Sequence, residues 1–128
     1  MSYIYPKAEQ LVGKDVEGTA QCVALIQAHT KAPNTSLWRE GAAVRGNLTL
    51  PVGTAIATFV KGRYLSKPHG NHAAFYVGQD ACGLYVVDQW KDPKKSTIGR
   101  RPLLFADHLR ANEKKDSVDI GDNYSVIE

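Results

Sequence analysis

The sequence predicts an α+β domain in which a helix that carries a cysteine packs on an antiparallel sheet. Two observations lead to this class. An apolar stretch of helical character comes first, from Ala20 to about Lys31, and several short strand-like stretches follow it. With 128 residues the chain is long enough for one substantial core and too short for two, so we expect one domain over residues 1–128.

The main predicted helix begins where small residues such as Gly18 give way to an apolar run. Val23, Leu25 and Ile26 make this helix apolar on most sides, which is typical of a helix buried against a sheet. A short helix is also predicted over residues 8–12. The pattern therefore places helical structure at the N-terminal end and the sheet after it.

Strands are predicted where small, apolar and β-branched residues alternate between glycines. The predicted strands are Thr54–Val60, His72–Val77, Leu84–Trp90, Gly99–Phe105 and Tyr124–Ile127. The second and third form an antiparallel hairpin closed by the turn Gly78–Gly83. The stretch from Leu37 to Gly41 is predicted to be a short turn.

Cys22 lies in the first turn of the predicted helix. Unpaired backbone N–H groups and the positive end of the helix dipole favour an anion there, so a thiol at this position ionises more readily, and the thiolate is the nucleophile. Cys22 is therefore the candidate catalytic nucleophile. The alternative is a buried, inert cysteine, or a disulfide with Cys82, which we expect to lie at the far end of the hairpin.

A cysteine nucleophile needs a base, and His72 is the best candidate because it opens the predicted hairpin after the turn-like Gly70. If Val77 pairs with Leu84, His72 lies opposite Gln89, and a shift of one residue places it opposite Asp88. We favour Asp88 as the third catalytic residue, because a carboxylate both orients the ring and stabilises the imidazolium.

Five further residues are predicted to contact substrate because they flank these three or can line a cleft: Gln21, Trp38, Asn71, Gln89 and Trp90. Such a site performs acyl transfer, in which the Cys22 N–H holds part of the oxyanion. Gln21 and Asn71 are candidates for the second donor. A lone tryptophan such as Trp38 more often anchors a core.

A metal site with His69 and His72 is not favoured, because His72 begins a strand, and no cofactor is expected.

Charge and composition limit the other functions. The formal net charge is +3, with much of the excess between Lys91 and Arg101, so a nucleic-acid-binding module is the rival from another class. The interleaved aromatics and glycine-rich loops of such modules are missing, and we expect no nucleic-acid partner. Residues 1–9 lack the pattern of a signal peptide, and no apolar run could span a bilayer, so we expect synthesis in the cytoplasm and no membrane insertion.

Three segments carry a family resemblance: Gln21–Gln27, Gly70–Val77 and Val87–Trp90. Together they resemble the papain-like amidases of the NlpC and CHAP kind. More narrowly, they resemble the amidase effectors of the type VI secretion system, and among these we expect the third effector family. Residues 53–59 and 124–128 extend the likeness over most of the chain.

The resemblance implies a papain-like fold, with Cys22 as nucleophile, His72 as base and Asp88 as the third residue. It also implies a peptidoglycan peptide as substrate, no metal, secretion into the periplasm of a target bacterium and an immunity protein as partner. Papain has an oxyanion-hole glutamine six residues before its cysteine, where this chain has Val16. A housekeeping or phage-type wall hydrolase is the rival among enzymes.

Overall fold

A computed structural model describes residues 2–65, 67, 70–110 and 115–128. One α-helix, α1 (Cys22–His29), precedes six strands: β1 (Glu40–Ala43), β2 (Thr54–Thr58), β3 (Ala73–Gln79), β4 (Gly83–Asp88), β5 (Gly99–Leu104) and β6 (Tyr124–Ile127). Short 3-10 helices lie at Ala8–Leu11, Thr35–Leu37, Ala106–His108, Ser117–Asp119 and Gly121–Asn123. The predicted α+β class is confirmed.

The six strands form one antiparallel sheet in the order β1-β6-β2-β3-β4-β5. Strand β6 inserts between β1 and β2, so it lies inside the sheet rather than at its edge. The five predicted strands are all present. β1 was not predicted, and its first two residues fall in the predicted turn Leu37–Gly41. No local pattern indicates this strand, because its partner β6 is more than 80 residues away in sequence.

The sheet is apolar on both faces, which explains why its central strands lack a clear polar alternation. On one face Phe75 and Val87 pack with Leu25 and Ile26 of α1. On the opposite face lies a second buried cluster around Tyr76, Leu84, Val86, Leu103 and Tyr124. Burial on both sides holds the ends of β3 and β4 firmly, and these ends carry the residues of the candidate site.

Helix α1 is shorter than predicted at both ends. It begins at Cys22 rather than Ala20, because Ala20 has a φ of 68°, a left-handed conformation outside the helix. It ends at His29, where the Thr30 hydroxyl donates to the Ile26 carbonyl. Among the described residues, no helix is long and apolar enough to cross a membrane. The changed start places Cys22 at the first helical position.

The β3–β4 hairpin contains an irregularity that alters the predicted register. Tyr76 pairs with Val86, but the next pair is Gly78 with Tyr85, so Val77 is an extra residue on β3. Neither predicted alignment of His72 is therefore correct. Phe75 pairs with Val87, so the next residue of β4, Asp88, lies opposite Ala74. His72 comes two residues before Ala74, and His72 and Asp88 are therefore diagonal neighbours on one face of the sheet.

The N-terminal segment is held against β2 at Gly53. The Gly53 carbonyl accepts from the Tyr5 N–H at 2.9 Å, and the Gly53 N–H donates to the Tyr76 carbonyl at 2.7 Å. Gly53 has a φ of +93°, and a Cβ added there would lie 1.9 Å from the Tyr5 carbonyl oxygen. Only glycine lets the two backbones approach this closely.

We predict that Gly53→Ala lowers the free energy of unfolding by about 3 kcal/mol or more, because the added Cβ would displace the N-terminal segment. Gly46→Ala is the matched control, since Gly46 also has a positive φ (+84°) but open space around it. The control is expected to lose only about 1–2 kcal/mol. Urea unfolding of both variants measures the difference, and equal losses would contradict the prediction.

Candidate active site

Cys22 is the first residue of α1, and its half-buried thiol faces a cavity. At this position the backbone N–H has no acceptor within the helix, and the helix dipole favours a negative charge. The Tyr64 hydroxyl lies 3.7 Å from Sγ. The His72 side chain and the Ala73 backbone are near enough to the sulfur to lower the pKa of the thiol.

His72 lies one residue before β3, where its backbone is fixed by the end of β2. Its N–H donates to the Thr58 hydroxyl at 3.0 Å, and its carbonyl accepts from the Thr58 N–H at 3.0 Å. The imidazole Nε2 is 2.8 Å from Asp88 Oδ2. Because Nε2 is bonded to Asp88, Nδ1 is the ring nitrogen left to face the sulfur of Cys22.

The interaction of Cys22 with His72 favours their charged forms. Burial acts to raise the pKa of Cys22, but the hydrogen bond and charge of His72 and the bonds from Tyr64 and Ala73 together lower it. Burial acts to lower the pKa of His72, but its hydrogen bonds to Asp88 and Cys22 raise it to about 9. The contact between the two side chains therefore favours a thiolate beside an imidazolium.

Asp88 is fully buried at the end of β4, and two cationic groups share its Oδ2 atom. His72 Nε2 lies at 2.8 Å and Arg101 Nε at 2.9 Å, and Arg101 also donates to Asp119 at 2.7 Å. The predicted contact between His72 and Asp88 is present. Arg101 was not predicted, although its position on the strand next to β4 accounts for its reach.

Gln89 has no exposed surface, which contradicts its predicted role as a substrate contact. Among the described residues, its side chain bonds to the backbone before α1. Oε1 accepts from the Glu17 N–H at 2.8 Å, and Nε2 donates to the carbonyls of Glu17 (3.0 Å) and Gln21 (2.8 Å). Gln89 therefore fixes the segment that delivers Cys22 to the helix start.

Trp38 is the second substrate-contact prediction that the structure contradicts. Its indole is fully buried, donates from Nε1 to the Pro33 carbonyl at 3.0 Å, and packs edge-on against Tyr64 with ring centroids 5.0 Å apart. The core-anchor alternative is the correct one. Tyr64 itself was missed, because a single tyrosine in a polar loop gives no pattern that links it to a cysteine 42 residues earlier.

A cavity of about 1200 Å³ opens over Cys22 and His72. Three of the predicted substrate contacts, Gln21, Asn71 and Trp90, line it. Its other walls carry charges of both signs: Lys67, Lys91, Arg101, Asp116 and Asp119. The cavity can therefore accept a ligand with both acidic and basic groups.

Other predicted features fall outside this cluster. Both cysteines are free, and Cys82 is exposed in the hairpin turn, so the possible Cys22–Cys82 disulfide is not formed. His69 lies outside the described residues, and no group of three potential metal-ligating side chains comes together within the part of the chain that the structure describes.

In this chain a helix that begins at a cysteine packs on an antiparallel sheet, and a histidine directly precedes one of the central strands. This is the arrangement of the papain-like α+β proteins, the class expected from the sequence. The family model "Domesticated amidase effector 2" matches residues 2–127. The chain belongs to the domesticated amidase effector 2 family.

Two relatives agree with this placement. The chain is 50% identical over 93 residues to a type VI secretion amidase effector 2 protein of Salmonella typhi, covering 72% of this chain and 70% of that protein. A solved structure of type 6 secretion amidase effector 2 (Tae2) superposes with a TM-score of 0.86 at 38% identity, covering 98% of this chain and 94% of that one. The resemblance to amidase effectors is confirmed, but the family is the second, not the third.

We predict that Gln89→Ala slows alkylation of Cys22 and lowers the free energy of unfolding by about 2–4 kcal/mol, because three part-buried backbone groups of Glu17 and Gln21 lose their partner. Alkylation is measured with iodoacetamide at pH 7 in a Cys82→Ser background, where Cys22 is the only thiol. Urea unfolding measures stability.

Gln79→Ala is the matched control for this experiment. Gln79 also binds backbone groups, the Gly46 N–H and the carbonyls of Val44 and Asn47, but lies at the other end of β3. We expect it to lower stability while the alkylation rate of Cys22 stays at the parent value. If both variants slow alkylation equally, Gln89 has no specific effect on the thiol.

Proposed function

We propose that this protein is a cysteine-dependent peptidoglycan amidase, an endopeptidase in which Cys22 is the nucleophile, His72 the general base and acid, and Asp88 the residue that orients the imidazole. The observation that carries the proposal is the chain of contacts from the buried Asp88 through His72 to the thiol of Cys22, at the floor of an open cavity. The family and the names of the relatives supply the reaction class.

In the acylation step the Cys22 thiolate attacks the carbonyl carbon of the amide. A C–S bond forms, and the carbonyl π electrons move onto oxygen, which the Cys22 backbone N–H helps to stabilise. When the tetrahedral intermediate collapses, the C–N bond breaks, and the imidazolium of His72 gives its proton to the leaving amine. The product of this step is a thioester on Cys22.

In the deacylation step neutral His72 accepts a proton from water while the hydroxide attacks the thioester carbon. Collapse of the second tetrahedral intermediate breaks the C–S bond and releases the carboxylic acid. Cys22 leaves as a thiolate and His72 keeps the proton, so the ion pair of the resting site is restored. Asp88 stays hydrogen-bonded to Nε2 throughout and stabilises the imidazolium each time it forms.

Stem peptides of peptidoglycan suit the cavity because they carry both carboxylates and free amines. Two amide bonds are candidates, the γ-D-glutamyl to diaminopimelate bond and the diaminopimelate to D-alanine cross-link. We favour the cross-link, which has a stem peptide on each side and so needs room in two directions. A second cavity of about 450 Å³ lies beside the first, with Gly70 and Ser117 in the lining of both, and would offer room for the second stem peptide.

As an effector the protein would be passed by type VI secretion into the periplasm of a target bacterium, in keeping with the names of its relatives. The producing cell would then need an immunity protein that covers the cavity. A nucleic-acid-binding role is less well supported, because several cations of the basic segment have internal partners. Arg101 binds Asp88 and Asp119, Lys95 lies 4.3 Å over Trp90, and Arg100 lies 3.5 Å from Glu9.

We predict that activity falls as the pH rises through about 9, because His72 then loses the proton that it must give to the leaving amine. In Asp88→Asn this alkaline limb should move down by about 1–3 pH units, since the carboxylate no longer raises the pKa of His72. Asp107→Asn, at an exposed aspartate bound to Arg45, should leave the limb in place. An unchanged limb in Asp88→Asn would refute the role of Asp88. The measurement is kcat/KM against pH.

We predict that the protein digests purified peptidoglycan and that Cys22→Ser abolishes digestion, with a loss of about 10³-fold or more. Cys82→Ser is the matched control, because the same exchange at an exposed cysteine removes no contact to His72. Mass spectrometry of the muropeptides identifies the bond: loss of cross-linked dimers supports the cross-link, and intact dimers exclude it.

The place of action is tested by the same variants in a sensitive bacterium. Export of the Cys82→Ser protein to the periplasm should cause lysis, whereas cytoplasmic expression and periplasmic Cys22→Ser should not. Digestion by Cys22→Ser at the parent rate would overturn the proposed mechanism.

A further inference from the structure

The loop between β2 and His72 places Tyr64 beside the thiol by means of a tight turn. Val60 and Arg63 exchange both backbone hydrogen bonds, at 2.8 and 3.0 Å, across Lys61 and Gly62. Both central residues have positive φ values, 51° and 79°, as a two-residue turn of the I′ type requires. The turn is tied to β1, because the Glu40 N–H donates to the Gly62 carbonyl. Tyr64 follows directly from this anchored turn.

The ring of Tyr64 is held by aromatic packing on two sides. Trp38 meets it edge-on at 5.0 Å, and Phe59 lies nearly perpendicular to it at 6.5 Å. Only 7% of the residue is exposed, yet it lines the cavity. A ring fixed in this way directs its hydroxyl to one place, and that place is 3.7 Å from Cys22 Sγ.

We propose that the Tyr64 hydroxyl is a catalytic hydrogen-bond donor that stabilises the thiolate in the resting site and the oxyanion in the tetrahedral intermediate. This inference rests on the proposed function of Cys22. The oxyanion is attached to the carbon that Sγ attacks, so a donor that close to Sγ is within reach of both. With the Cys22 N–H it would complete a two-donor oxyanion hole, where the papain glutamine is replaced by Val16.

A tyrosine can serve in this way only if it keeps its proton. Burial, and then the charge and hydrogen bond of Cys22, raise the pKa of Tyr64 well above its ordinary value, so the hydroxyl remains a donor throughout the working pH range. Asn71 is a weaker candidate, because its Nδ2 already donates to the Leu65 carbonyl. Gln21 is exposed and its side chain caps nothing at the start of α1.

The test is Tyr64→Phe, which keeps the ring and its packing and removes only the hydroxyl. We expect kcat for cleavage of purified muropeptides to fall about 10²–10³-fold, with KM within a few-fold and the melting temperature unchanged. Tyr76→Phe is the matched control. It removes a buried hydroxyl that accepts from Gln79, on the opposite face of the sheet, and should keep parental kcat.

A second measurement needs no substrate and separates this inference from the proposed function. In a Cys82→Ser background, the pH midpoint for alkylation of Cys22 should move upward in Tyr64→Phe, because the thiolate loses a donor. An unshifted midpoint, or a kcat within threefold of the parent, overturns the role of Tyr64. So does a fall in kcat for Gln21→Ala that Tyr64→Phe does not show. Full activity of Cys22→Ser would overturn the proposed function instead.

Discussion

The buried hydrogen bond between His72 and Asp88 is the interaction on which the candidate site depends. A carboxylate with no exposed surface is costly unless cations compensate it, and here the imidazolium and Arg101 share one of its oxygens. This arrangement fixes which ring nitrogen faces Cys22 and raises the pKa of His72. The carboxylate of Asp88 therefore acts on the pKa of the thiol through His72.

The end of β4 and the residue after it hold both Cys22 and His72 in place. Asp88 and Gln89 are consecutive, and consecutive residues of an extended chain point in opposite directions. Asp88 binds His72, while Gln89 binds the backbone just before Cys22. A shift of this segment would thus displace the thiol and the imidazole together. Asp88 thus positions the imidazole by direct contact, and Gln89 positions Cys22 through the backbone.

Charge counted along the sequence overstated how basic this protein's surface is. Arg101 contributes to the basic run from Lys91 onward, but it is half-buried and bound to two carboxylates, so it acts as a structural counter-ion to Asp88. Trp90 takes two cations over its ring, Lys95 at 4.3 Å and Arg101 at 4.9 Å. A basic run in the sequence indicates an anionic partner only after the cations held by internal contacts are set aside.

Local patterns in the sequence by themselves determined the α+β class, the presence of a helix with Cys22 in its first turn and the hairpin that follows His72, because periodicity and turn residues act over short distances. Tertiary structure alone decided the bulge at Val77, the diagonal contact of His72 with Asp88 and the place of Tyr64 beside the thiol. These features depend on strand register and ring packing between segments far apart in sequence, and such contacts leave no periodic trace in the chain.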